Sequence, residues 1–77
     1  MAKYKIIATD GVNYRNGIGI VSIDCWEAGV QYVLWVDMYE DDDRLHKSKI
    51  NYYSSGTPYF VAYGRKQNLN NYVSTRD

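Results

Sequence analysis

Between Asp37 and Asp43 the chain carries five carboxylates, Asp37, Glu40, Asp41, Asp42 and Asp43, and Arg44, His46, Lys47 and Lys49 follow directly. Such a run can hold a divalent cation, present an anionic knob to a basic partner, or pair loosely with its own neighbouring bases. Calcium loops of the EF-hand kind need oxygens at alternating positions, a glycine at the sixth and a glutamate at the twelfth. Here the acids are contiguous and RLHKSK supplies neither residue, so no metal is expected. A solvated hairpin tip is the simplest reading, and an anionic protein-binding knob made by Glu40, Asp41, Asp42 and Asp43 is the functional one.

The single histidine, His46, has no GxSxG or comparable nucleophile motif near it, and a small chain offers little concavity for a triad. The single cysteine, Cys25, falls between Asp24 and Trp26 at an inward phase and reads as a small buried apolar residue. Neither a P-loop nor a dinucleotide-binding glycine motif occurs, so no cofactor and no enzyme activity are expected.

A second constellation lies in the back half. Residues 44–77 hold six bases against one acid, interleaved with tyrosines. Rings for stacking and cations for phosphate are what single-stranded nucleic acid requires. Lys47, Lys49, Tyr53, Tyr63, Arg65 and Lys66 would make such a face. Exposed tyrosine and arginine also suit a protein contact, and Tyr53, Tyr59, Tyr63 and Arg65 are the candidates for that use. The overall charge does not choose between them, because nine bases balance nine acids.

Positioning these residues falls to strands. Nine tyrosines in 77 residues are roughly three times the usual share, and tyrosine suits half-buried sheet faces. Periodicity is two almost throughout. KYKIIATDG reads as a first strand ended by Asp10-Gly11, and GVNYRNGIG, residues 11–19, as a long glycine-rich loop. GIVSIDCW is a second strand, with Val21, Ile23 and Cys25 on one face and Ser22 and Asp24 on the other. After the hairpin-length Glu27-Ala28-Gly29 comes VQYVLWVDMYE, apolar on both faces and so a central or strongly curved strand. Glu40 to His46 reads as a polar loop and KSKINYYSS as a weak fourth strand. Ser55-Gly56-Thr57-Pro58 turns the chain into PYFVAYGRKQ, a fifth strand that Gly64 bends or ends. NLNNYV suits one helical turn docking Leu69 and Tyr72.

The expected architecture is one small all-β domain over residues 1–77, a five-stranded antiparallel, strongly bent sheet or SH3-like barrel with a short C-terminal helical turn. An OB-like barrel is less suitable, since Glu40 to His46 is too short for its usual helix. With a lone cysteine and no zinc-ligand cluster, the core must hold the domain by itself. No signal peptide or membrane span is evident, so a cytoplasmic protein is expected, monomeric or weakly self-associating through open strand edges.

The segment KINYYSSGTPYFVAYGRKQNLNNYV resembles the C-terminal part of small uncharacterised tailed-bacteriophage accessory proteins. The likeness falls on Gly56, Pro58, Tyr59, Phe60, Gly64, Arg65, Lys66 and Leu69, about a third of the chain. It carries no catalytic residue. It implies a non-enzymatic phage protein acting in the host cytoplasm by binding and inhibiting or redirecting a host or defence protein.

Overall fold

The computed structural model describes residues 13–39 and 42–73, with the backbone alone at Asn13, Asp24, Asp42 and Asp43. Among the described residues, seven strands and one 3₁₀ turn run in chain order: β1 (Asn13–Arg15), β2 (Ile18–Glu27), β3 (Val30–Asp37), β4 (Asp42–Lys49), β5 (Asn51–Tyr52), β6 (Pro58–Ala62), β7 (Arg65–Asn68) and the turn Leu69–Asn71. They form two antiparallel sheets, β1-β2-β3-β4 and β5-β6-β7. The small antiparallel all-β class with a terminal helical turn is therefore what the chain adopts. The expected first strand and the terminal STRD lie outside the described residues.

Three tight connections set the topology. Asn16-Gly17, Ala28-Gly29 and Tyr63-Gly64 each join adjacent strands with two residues of positive φ, as type I′ hairpin turns require. This corrects the long loop expected over residues 11–19: Asn16-Gly17 is a hairpin corner between β1 and β2. It also makes Gly64 the corner of a turn, so the expected fifth strand is two strands, β6 and β7.

A second correction concerns Glu40 to His46. β4 begins at Asp42, and its register runs Trp35 against His46 and Asp37 against Asp42. The hairpin tip is therefore shorter than the expected loop. Asp37 Oδ1 accepts from the Tyr39 backbone N–H at 2.9 Å and tightens the exit from β3. Tyr39, expected on an apolar strand face, lies in that turn and is 75% exposed.

The core lies between the sheets. Ile18, Ile20, Val33, Trp35, Ile50, Phe60, Ala62, Leu69 and Tyr72 form one buried cluster, with Ile23 and Val73 packed on it. Ile50 stands between β4 and β5, and its N–H bonds the Gln31 carbonyl at 3.1 Å. The chain thus crosses from one sheet to the other without leaving the core. Ser22, Cys25 and Leu34 are also buried but lie outside that cluster.

The register explains how β2 serves two faces. Ile20 pairs with Trp35, Ser22 with Leu34 and Cys25 with Tyr32, so β2 spends one extra residue in each interval. These irregularities break the simple alternation expected for β2. Ile18, Ile20 and Ile23 reach the core, while Cys25 pairs on the face of Leu34 with Ser22. Cys25 is a buried free thiol, as expected, but on the face of Ser22 rather than that of Ile23. β3 carries buried side chains on both faces, Val33 and Trp35 on one and Leu34 on the other.

Candidate contact surfaces

The two constellations named from sequence are sorted by the sheets into four places. On the outward face of β6, residues alternate with the buried Phe60 and Ala62, so Tyr59 and Val61 point away from the core. Lys66 pairs with Val61 and joins that face. Tyr53 is brought to it by the turn before β6, in which the Tyr53 N–H bonds the Thr57 carbonyl at 2.9 Å and the Gly56 N–H bonds Tyr53 at 2.8 Å. The Tyr53 and Tyr59 rings then lie 4.4 Å apart at 32°. Lys66 Nζ stands 5.1 Å from the Tyr59 ring and 5.6 Å from the Tyr53 ring, within cation–π range.

A second group surrounds Trp35, which is nearly buried. His46 stacks on it at 4.3 Å and 18°. Tyr63 meets it edge-on at 5.6 Å and 67°. Trp35 Nε1 donates to Ser48 Oγ at 3.1 Å, and Ser48 Oγ donates to the Val61 carbonyl at 2.7 Å. His46, the one histidine, is therefore a packing and stacking residue of β4.

Lys47 belongs to a third group. It forms an ion pair with Glu27 and places its ammonium 4.4 Å from the Tyr32 ring. Lys47 and Lys49 pair with Leu34 and Tyr32, whereas His46 and Ser48 pair with Trp35 and Val33. The alternation of β4 thus puts Lys47 and Lys49 on the opposite face from the Trp35 group. The six residues named for nucleic acid do not form one contiguous cluster.

Glu40 and Asp41 lie outside the described residues, and Asp42 and Asp43 open β4. Asp37 is 8% exposed and lies opposite Asp42 in the register. Among the described residues, no group of three His, Cys, Asp or Glu side chains is placed to hold a metal ion, and no helix is long and apolar enough to cross a membrane.

The fourth place lies beside the turn at Tyr63-Gly64. Arg65 and Tyr63 border a groove there with Asn16, Ile18, Lys66 and Gln67. Sequence reading named Tyr63, Arg65 and Lys66 but missed Asn16 and Gln67. The Tyr72 hydroxyl lies beneath and donates to Gln67 Oε1 at 3.2 Å. Burial pushes the Tyr72 phenol above its ordinary value of 10.0, although a hydrogen bond from Asn16 and the Arg15 charge pull it down; Tyr39 adds to the rise.

That shift makes a pH prediction. A phenol whose folded pKa lies above the unfolded value adds stability that is complete below pH 10.0 and is lost as pH rises through the folded value. Above 10.0 the unfolded state sheds this proton first and stability falls. Replacing Tyr72 by Phe is expected to flatten this alkaline decline, measured as urea midpoints taken across that range. Equal slopes for the two proteins would refute the assignment.

No protein-family model, no curated protein and no solved structure matches the chain.

Proposed function

We propose that the chain is a non-enzymatic binding module that works by occupying the surface of another protein. The observation that carries this reading is the Tyr53, Tyr59 and Lys66 platform. Two rings and an ammonium are already held together on a sheet face, so little side-chain entropy remains to be lost when a partner covers them. Tyr14, Trp26, Tyr52 and Tyr63 add large exposed aromatic surface, and Tyr and Trp are the residue types that dominate contact energies. The setting that fits is a small SH3-like barrel encoded by a phage and acting in the host cytoplasm, where it inhibits or redirects a host or defence protein. Asp42 and Asp43, with Glu40 and Asp41, would steer a basic partner toward the same protein.

The test is capture from a bacterial lysate by the full chain, by Tyr59→Ala and by the double change Asp42→Asn and Asp43→Asn. A loss of about 2 kcal/mol at a central tyrosine weakens binding about thirtyfold, so Tyr59→Ala is expected to lose the partner. The aspartate pair is expected to slow capture and to reduce its salt dependence. Equal recovery of the same proteins by wild type and Tyr59→Ala would remove the platform from the reading. Recovery of nothing by the wild type would count against a protein partner altogether.

The second reading is a small barrel that binds single-stranded nucleic acid. Lys66 above two tyrosine rings is the observation that favours it, because a base could stack where a phosphate is neutralised. Lys47, engaged with Glu27, contributes less to it. Oligonucleotide affinity that falls steeply with added salt would support this reading.

A further inference from the structure

The groove beside the Tyr63-Gly64 turn has the chemistry of an anion site. Its volume is about 470 Å³, inside the range of roughly 300–1,000 Å³ usual for small-molecule sites. Asn16, Ile18, Tyr63, Arg65, Lys66 and Gln67 line it, and no carboxylate does so among the described residues.

Strand phase explains why these groups converge. Arg65 pairs with Ala62 and Gln67 with Phe60, and both partners are buried inward-facing residues of β6. Arg65 and Gln67 therefore share the inward phase of β7, with Arg65 reaching solvent at the start of the strand. Asn16 arrives from the other sheet because the first hairpin corner places it at positive φ, 53°. Tyr63 is held in the left-handed region as well, at φ 56°, where a bulky residue is costly. Its ring is fixed edge-on to Trp35 and is 51% exposed.

The amide of Gln67 is oriented. Its Oε1 accepts from the Tyr72 hydroxyl, which leaves the amide nitrogen as the group a groove occupant would meet. The site thus offers a guanidinium fork, the Gln67 amide N–H, an Asn16 amide that also bonds the Tyr72 hydroxyl, and a half-exposed aromatic ring. Guanidinium forks match phosphate oxygens bidentately.

We infer that this groove binds a phosphate monoester of mononucleotide size, with the phosphate on Arg65 and the amides of Asn16 and Gln67 and the base against Tyr63. The inference rests on Arg65, Asn16 and Gln67, whereas the protein-contact reading is carried by Tyr53 and Tyr59 on the outward face; Lys66 and Tyr63 border both surfaces.

Titration of the isotope-labelled full chain at low salt with 5′-AMP, adenosine and inorganic phosphate tests it by amide chemical shifts. AMP is expected to shift Asn16 and Gln67 saturably, with adenosine and phosphate each binding more weakly. Losing one charge-assisted contact costs about tenfold in affinity, so Arg65→Gln is expected to weaken AMP by about that factor. Gln67→Glu retains an acceptor for Tyr72 but sets a carboxylate against the phosphate, and is expected to abolish binding. Lys49→Gln, an exposed β4 change, should leave AMP affinity unaltered. The spectra report folding of every variant directly. Absence of shifts at millimolar AMP, shifts centred on Tyr53 and Tyr59, or equal weakening by Arg65→Gln and Lys49→Gln would each overturn the inference.

Discussion

Phe60→Ala is expected to remove a large share of the folding stability. Phe60 has no exposed surface, sits on β6 at the centre of the inter-sheet cluster, and meets Tyr72 edge-on at 5.5 Å and 67°. Emptying such a site costs about 3–5 kcal/mol, because the transfer energy of the ring is lost and the surrounding strands close the void only in part. A domain of 77 residues has about 4–12 kcal/mol in all on the usual per-residue scale. The denaturant midpoint should therefore fall by a third or more. Phe60→Leu, which keeps most of the volume, should cost about 1–2 kcal/mol. Val61→Ala, one residue on and 43% exposed, should cost well under 1 kcal/mol. The contrast between neighbours is the test, since equal losses at Phe60 and Val61 would contradict the alternation of β6.

That alternation was legible without coordinates, and so was the docking of Leu69 and Tyr72 by a 3₁₀ turn. Both follow from local pattern: apolar residues two apart on a strand, then Asn68, whose side chain accepts from the Asn70 N–H at 2.9 Å and caps the turn. The β1–β2 corner was also written locally. Asn-Gly is the strongest short hairpin signal, but in GVNYRNGIG it is surrounded by other loop-forming residues and was absorbed into a loop. Ala28-Gly29 and Tyr63-Gly64 give a weaker signal, because alanine and tyrosine rarely take the positive φ that these corners impose. There the strand pairing on either side overrides the residue's own preference.

The irregularities of β2 were not legible, and they decide which face Cys25 and Ile23 occupy. A strand that slips one residue against its partner shows no mark in its own sequence. The same limit explains the candidate surfaces. Tyr53, Tyr59 and Lys66 were each named from composition, but their meeting depends on the 53–57 turn and the Val61–Lys66 register. Asn16 and Gln67 are distant in sequence and polar residues of ordinary type. Only the closure of one sheet over the other places them on one groove.

Trp35→Ala is expected to be comparably damaging, and its damage should cross between the sheets. Trp35 belongs to β3, yet its Nε1 reaches Ser48 Oγ and Ser48 reaches the carbonyl of Val61 on β6. Its ring also meets Tyr63 at the β6–β7 corner. Loss of the indole removes about 3–5 kcal/mol of packing and the donor end of this relay together. Trp35→Phe keeps a ring for His46 and Tyr63 but not the N–H, and should cost about 1–2 kcal/mol, close to the effect of losing one part-buried hydrogen bond. Amide exchange distinguishes a joined core from two adjacent ones. If the sheets open as one unit, Trp35→Ala lowers protection at Phe60 and Ala62 as much as at Val33 and Leu34. Protection lost in β2 to β4 while β6 and β7 keep theirs would mean that the sheets are stabilised separately. In that case the opening of β2 to β4 alone would be enough to take apart the groove between Asn16 and Gln67.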